Sequence, residues 1–256
     1  MNTIIGELGK SQKFISLVKN IEKEKSPIEI SGLTDVAETS LIAGINEFTK
    51  RPILLVTYNE IQAKKLAENI KYFTDKVYVF PKKEIVTYDY VAESKDLPYE
   101  RIDVLNKIYD NKNIIIVTTI EALEQKILAK NELYKNTLNF KIGSRCNIEE
   151  IKQKLVDLGY ARYDLIDARG EFSVRGGIID ISITDTTGVR IELWGDEIDS
   201  IRYFNIISQR STSQIDQIEI YPAHEFILEK TLDEVCTAIQ SNVYDEKKQE
   251  IAEKDI

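Results

Sequence analysis

The segment Ile30-Ser31-Gly32-Leu33-Thr34-Asp35-Val36-Ala37-Glu38-Thr39 has the layout of a phosphate-binding loop: a short apolar stretch, a turn, then a helix. Such a loop needs glycines so that backbone N–H groups can wrap phosphate, a lysine to reach the β/γ oxygens, and a Ser/Thr for magnesium. Gly32 and Thr39 fit those roles. Asp35 and Ala37 stand where later glycines belong, and Glu38 stands in the lysine position. A carboxylate aimed at a triphosphate repels it, and like-charge contacts of this kind are costly. Two readings stand: a weak or specialised nucleotide site, or a loop that keeps the fold of a nucleotide-binding unit without its ligand. The glutamate favours the second. Asp196-Glu197, after the apolar run 189–194, could hold magnesium and activate water. Gly195 before the pair and Ile198 after it make a hairpin turn the better reading.

The remaining reactive side chains are sparse. His224 is the single histidine, and Cys146 and Cys236 are the two cysteines, so neither a clustered zinc site nor a disulfide framework is expected. The count alone leaves a Cys–His nucleophile pair open, but neither cysteine has a setting that recommends it. Cys146, beside Arg145, is either a thiol of slightly lowered pKa or an inert one at a helix start. His224, after a proline, reads as a linker residue. Tyr88, Tyr90 and Tyr99 could stack on single-stranded nucleic acid. Asp89, Glu93, Asp96 and Glu100 interleave with them and favour a packed loop. No catalytic residue, metal ligand or cofactor is expected in this chain.

The chain as a whole sets the frame for these residues. It has 256 residues, room for two medium domains. Its 34 Lys+Arg against 43 Asp+Glu give a formal charge of −9, which argues against whole-chain affinity for nucleic acid but not against a local basic patch. No apolar run approaches the roughly 18 residues of a membrane span, and the first ten residues lack the pattern of a secretory signal. Two sparse cysteines suit a reducing cytosol, so the expected location is cytoplasmic, with no membrane partner.

Residues 1–140 alternate helix and strand. Residues 11–25 are predicted helical, with Phe14, Leu17, Val18 and Ile21 on one face. Pro27 ends that helix, 28–30 reads as a short strand, and 39–48 as a second helix. Ile53-Leu54-Leu55-Val56 has the pattern of a strand buried on both faces. Helix 60–73, strand 77–80, helix 99–109, the fully buried strand Ile114-Ile115-Ile116-Val117 and helix 120–129 complete the series. Repeated βα units imply a doubly wound parallel sheet with helices on both faces.

From about 141 to 225 the pattern changes. Helix 148–158 has Asn147 as N-cap and Gly159 at its C-terminal end. Strands follow at 160–166, 170–183, 189–194, 198–206 and 215–221, with turns at 185–188 and 195–196. This is a smaller α+β domain with an antiparallel sheet. Within strand 189–194, Ile191 and Leu193 point to one side, and Arg190, Glu192 and Trp194 to the other. Phe172 and Val174 likewise oppose Ser173 and Arg175, and Gly176-Gly177 suggests a bulge. The only tryptophan therefore lies beside an arginine on the polar face, and both residue types are enriched at interface hot spots. From pattern alone, Trp194 either anchors a partner or caps the edge of the core. Residues 228–256 read as helical and acidic.

Several long motifs carry a family resemblance. The stretch Gly170-Glu171-Phe172-Ser173-Val174-Arg175-Gly176-Gly177-Ile178-Ile179-Asp180-Ile181 resembles a segment shared by the excision-repair helicase UvrB and the bacterial transcription-repair coupling factors. So does Arg190-Ile191-Glu192-Leu193-Trp194-Gly195-Asp196-Glu197-Ile198-Asp199-Ser200-Ile201-Arg202. Tyr221-Pro222-Ala223-His224-Glu225-Phe226 is similar to the coupling factors in particular. UvrB keeps an intact phosphate loop, whereas the N-terminal module of the coupling factors has lost it, as here. UvrB also inserts a long aromatic hairpin after a Tyr-Asp-Tyr-like stretch. Between Tyr88-Asp89-Tyr90 and Ile114 there is no room for one.

The resemblance implies three segments: 1–140, a degenerate P-loop NTPase-like domain similar to UvrB domain 1a; 141–225, similar to UvrB domain 2; and 226–256, a truncated start of the return to the first domain. It implies a non-catalytic module that recruits the repair ATPase UvrA to stalled RNA polymerase. In the full-length family, RNA polymerase and DNA are engaged by other parts, and the ATP- and magnesium-dependent DNA translocase motor lies outside this chain. The family's UvrA contact positions match Arg175, Arg190 and Trp194; phenylalanine is common at the last of these. Arg162, Arg169 and Arg202 either extend the patch or are ordinary surface residues. The alternatives are a UvrB-like ATP-dependent helicase half and a damaged-DNA-binding module.

Overall fold

The computed structural model describes residues 3–83, 96–110 and 113–227, together with positions 234, 236, 237 and 241. The chain divides into two compact units, one of residues 1–138 with 221–225, the other of residues 139–220 with 226–256. Tyr88, Asp89, Tyr90 and Glu93, and most of 228–256, lie outside the described residues.

The first unit contains α1 (Thr3–Leu8), α2 (Gln12–Glu22), α3 (Asp35–Thr49), β1 (Ile53–Thr57), α4 (Glu60–Lys71), β2 (Val77–Phe80), α5 (Leu97–Asp110), β3 (Ile115–Thr119), α6 (Ile120–Leu123) and α7 (Lys130–Lys135). Its three strands are parallel, in the order β1-β3-β2, with Leu55 opposite Val117 and Val117 opposite Val79. Alternation along β3 divides the core. Ile115 and Val117 join Ile5, Ala43, Ala63, Ala67, Ile70 and Val77 on one face. Ile114 and Ile116 join Phe80, Val104, Leu105 and Ala122 on the other. β3 is therefore buried along its whole length, as its uninterrupted apolar sequence requires.

Three expectations for this unit are corrected. Residues 28–30 form no strand, because no described strand runs beside them and an extended triplet needs a ladder to hold it. β1 is not buried on both faces. It is an outer strand, and Leu54 and Val56 are 55% and 50% exposed, while Ile53 and Leu55 pack on the core. Helix 120–129 stops at Leu123. Beyond it, the Gln125 side chain accepts from the Lys83 N–H (2.6 Å) and donates to the Lys83 carbonyl (3.0 Å). The Leu128 N–H donates to Glu225 Oε2 (3.3 Å). These bonds hold 125–128 against other chain segments.

Glu225 also anchors the returning segment 221–225 within this unit. Its carboxylate accepts from Arg101 Nε and lies 3.3 Å from Lys83 Nζ. Arg101 is fully buried, donates through Nη1 to the Pro81 carbonyl, and stacks 4.2 Å from the Phe80 ring centroid. A buried guanidinium needs such a partner, since an unpaired charge in the interior is costly.

In the second unit, β4 (Leu138–Lys141) begins at the boundary and is followed by α8 (Ile148–Asp157), β5 (Ala161–Arg162), β6 (Glu171–Arg175), β7 (Ile178–Ser182), β8 (Thr187–Trp194), β9 (Glu197–Asn205), β10 (Ser211–Ile215) and β11 (Gln217–Ile220). Six strands form one sheet in the order β10-β9-β8-β7-β6-β5, antiparallel except for the β5–β6 pair; β11 pairs with β4. α8 begins where Asn147 Oδ1 accepts from the N–H groups of Glu149 and Glu150. It ends with Gly159 at φ +89°, and the Tyr160 N–H donates back to the Leu155 carbonyl at 2.9 Å.

The strand 160–166 shortens to Ala161–Arg162, and 170–183 is two strands rather than one. Gly176-Gly177 forms the turn of a tight β6–β7 hairpin, not a bulge. Gly176 takes φ +59°, and Arg175 pairs directly with Ile178. Thr187 and Gly188 belong to β8 rather than to the preceding turn, and 215–221 is replaced by β10 and β11. Among the described residues, no helix is long and apolar enough to cross a membrane.

Candidate functional site

The loop before α3 is occupied by its own chain. Thr34 caps the helix, its Oγ1 accepting from the Ala37 N–H at 3.4 Å. Asp35 and Glu38 lie exposed in the first turn, where the positive end of the helix dipole favours acids. Asp35 also pairs with Lys65 on α4 at 3.3 Å. Thr39, in the magnesium position, is buried and donates its hydroxyl to the carbonyls of Asp35 (3.0 Å) and Val36 (3.1 Å). Gly32 has the left-handed φ of +75° that a phosphate loop uses, but Ala37 sits within the helix, and no lysine stands in the Glu38 position. The helix end therefore presents carboxylates where phosphate would lie.

The sheet of the second unit gathers charge differently. Strand register places Ser173 opposite Asp180, Asp180 opposite Arg190, and Arg190 opposite Arg202, so one row crosses four strands on one face. The adjacent row carries Arg175, Ile178, Glu192 and Ser200 on the same face. The opposite face holds Phe172, Ile179, Ile181, Val189, Ile191 and Ile201, all buried.

Asp180 is the centre of the charged face and is only 1% exposed. Its Oδ1 accepts from Arg190 Nε at 2.7 Å, and its Oδ2 accepts from Arg190 Nη2 at 2.8 Å and from Arg175 Nη2 at 2.9 Å. Arg190 is thus held bidentately, the geometry in which a guanidinium binds a carboxylate most strongly. Its Cζ also lies 4.7 Å from the Phe204 ring centroid. That ring can approach because Gly188 opposes it: a Cβ there would sit 2.6 Å from the ring. Phe204 packs with Ile166 and Ile206 into a small core on this face. Hydrogen bonding to Asp180 holds the Arg190 guanidinium above even its usual high pKa, against the opposing effect of burial. Arg202 pairs with Glu192, whose Oε2 also accepts from Ser200 Oγ at 3.0 Å.

Trp194 ends β8 and is 86% exposed, so it does not cap the core; alternation along β8 puts it on the charged face, just past an irregularity in the β8–β9 register between Glu192 and Leu193. The end of its strand is drawn to the β6–β7 turn: the Leu193 N–H donates to the Gly177 carbonyl at 2.8 Å. A Cβ on Gly177 would lie 2.8 Å from the Leu193 carbonyl oxygen, so no side chain fits there. Arg175 and Arg190 thus share one carboxylate, while Trp194 stands apart from it on the same face. Sequence reasoning missed Asp180. The available signal was a lone acid inside the apolar run 178–181.

Asp196 lies in the β8–β9 turn and Glu197 opens β9, with Gly195 at φ +62°. Cys146 is pushed above its usual pKa by burial, with Asp196 adding to the effect, so the lowering suggested by Arg145 does not occur. The Arg145 backbone pairs with that of Glu197 in an isolated antiparallel β-bridge. Among the described residues, no group of His, Cys, Asp and Glu could hold a metal ion.

Comparison with known proteins gives concordant results. The family model for the UvrB interaction domain matches residues 138–226, the span that includes the charged sheet face. The transcription-repair-coupling factor of Bacillus subtilis is 32% identical over 232 residues, covering 89% of this chain and 20% of that protein. That of Staphylococcus haemolyticus is 34% identical over 219 residues, covering 84% and 18%. The chain spans about a fifth of the length of these relatives. On these matches, and on the order of its motifs, the chain is similar to part of the transcription-repair-coupling factors, with a UvrB interaction domain at residues 138–226.

Proposed function

We propose that this chain is a non-catalytic recruitment module that binds UvrA through Arg175, Arg190 and Trp194. The observation that carries this reading is the exposure of Trp194 on the same sheet face as two arginines clamped to a buried carboxylate. A large aromatic held in water contributes little to the core. Against a partner it excludes solvent around the guanidiniums, which then pair with carboxylates or carbonyls in a less polar setting. In this reading 141–225 is the UvrA-binding domain. The 1–140 domain keeps the doubly wound plan of UvrB domain 1a without turning over ATP. RNA polymerase and DNA are engaged by parts of the full-length protein outside this chain, in the cytoplasm.

Calorimetric titration with UvrA tests the docking surface. Saturable binding is expected, weakened in Arg175→Ala/Arg190→Ala and in the volume-conserving Arg175→Gln/Arg190→Gln. The second pair matters because alanines leave Asp180 buried without a counter-charge. Wild-type affinity in the folded glutamine variant contradicts the assignment. The helicase alternative requires ATP binding in the presence of magnesium, and micromolar affinity would overturn the reading of Glu38. The damaged-DNA alternative requires DNA binding that falls steeply with salt.

A further inference from the structure

We infer that Asp180 is a positioning residue of this docking surface: it holds the Arg175 and Arg190 guanidiniums so that their remaining N–H donors face a partner's carboxylates and main-chain carbonyls. The inference rests on the UvrA reading above and deepens it. Its starting point is the division of labour around one carboxylate. Asp180 is buried, whereas the side chains of Arg175 and Arg190 are 50% and 18% exposed. Arg190 uses Nε and one Nη2 proton on Asp180, which leaves Nη1 and the second Nη2 proton. Arg175 uses one Nη2 proton there, which leaves Nη1 and Nε. Both guanidiniums are thus anchored by one edge and offer another.

The anchoring fixes orientation as well as position. The bidentate pair sets the plane of the Arg190 guanidinium, and the Phe204 ring lies against it. Arginine carries large rotamer freedom, and ordering such a side chain at an interface costs affinity. For Arg190 that ordering precedes a partner's arrival, while Arg175 is tethered by a single bond. The charges also favour acceptors. Arg175 and Arg190 share the single carboxylate of Asp180, so around that group two cations face one acid.

The test is UvrA titration of Asp180→Asn, a near-isosteric change, in the wild-type chain and in Arg175→Gln/Arg190→Gln, with Trp194→Ala as reference. Asp180→Asn is expected to weaken UvrA binding about tenfold, equivalent to about 1.4 kcal/mol. It should have no further effect in the glutamine background, since it acts only through the two guanidiniums. In wild-type protein the Arg190 Nε–H should exchange slowly by NMR, and in Asp180→Asn quickly. Wild-type affinity in Asp180→Asn, or an equal loss in both backgrounds, overturns the role. Loss in Trp194→Ala with none in Asp180→Asn overturns the positioning role alone. No loss in either overturns the docking surface and this inference with it. If Asp180→Asn fails to fold, Asp180→Glu keeps the charge but displaces it by one methylene. It should weaken binding in the same background-dependent way, and wild-type affinity there overturns the role.

Discussion

The loop before α3 and the charged face of the β6–β9 sheet both concentrate ionisable side chains where a ligand could sit, and they dispose of them in opposite ways. At the loop, the polar groups are consumed by the chain itself. The Thr34 and Thr39 hydroxyls bond helix backbone, and Asp35 and Glu38 sit exposed at the helix's positive end. On the sheet, the acid is inside and one of its two cations reaches out: Asp180 is buried, Arg190 is mostly buried, and Arg175 reaches solvent while tethered to Asp180. At the loop the two hydroxyls bond backbone and the acids lie exposed; on the sheet a buried acid holds two arginines by one edge each.

The contrast can be broken most forcefully at Asp180. Asp180→Ala leaves two guanidiniums without their shared carboxylate, and urea denaturation should show a loss of about 3 kcal/mol. An unchanged midpoint would mean that the network does not contribute to the fold. Next in size is Gly177→Ala, whose Cβ would meet the Leu193 carbonyl oxygen at 2.8 Å. Relieving that contact should cost about 1–3 kcal/mol by the same measurement, and wild-type stability would show that the turn can shift freely. At the loop the effects are smaller. Glu38→Lys exchanges an acid for a cation in the first turn of α3 and should destabilise by about 0.3–1 kcal/mol. It should not create micromolar ATP binding, because the Thr39 hydroxyl remains bonded to backbone. ATP binding after this single change would show that the loop is one residue from function. The smallest effect concerns Cys146. Burial and Asp196 raise its pKa, so less thiolate is present at pH 8 than for a free thiol. In Cys236→Ser protein, Ellman's reagent should react more slowly than with glutathione at that pH, the rate climbing only at higher pH. A glutathione-like rate at pH 8 would contradict the assignment.

How much of this was legible in the sequence depended on how local the physics is. The Asn147 cap and the Gly159 end of α8 are local chemistry and were readable residue by residue. The alternation of Arg190, Ile191, Glu192 and Leu193 correctly divided β8 into a core face and a polar face. The 28–30 strand was not readable as it stands, because an extended triplet exists only beside another strand. Asp180 was invisible for a related reason. Alternation tells which face a residue occupies, but only register tells which residue stands opposite. Reading Gly176-Gly177 as a bulge hid the hairpin that aligns Arg175 with Ile178 and thereby sets Asp180 between the two arginines. Arg101 and Glu225 are 124 residues apart, and nothing local to either announces the other.

The measurement that bears most directly on the recruitment reading is calorimetric titration of UvrA with wild-type chain and with Trp194→Ala. Trp194 is 86% exposed, so its removal should leave stability within about 0.5 kcal/mol. A central aromatic anchor is worth about 2 kcal/mol or more, so UvrA affinity should fall at least about thirtyfold. Equal affinity for the two proteins would contradict the assignment of this face as the UvrA-binding surface.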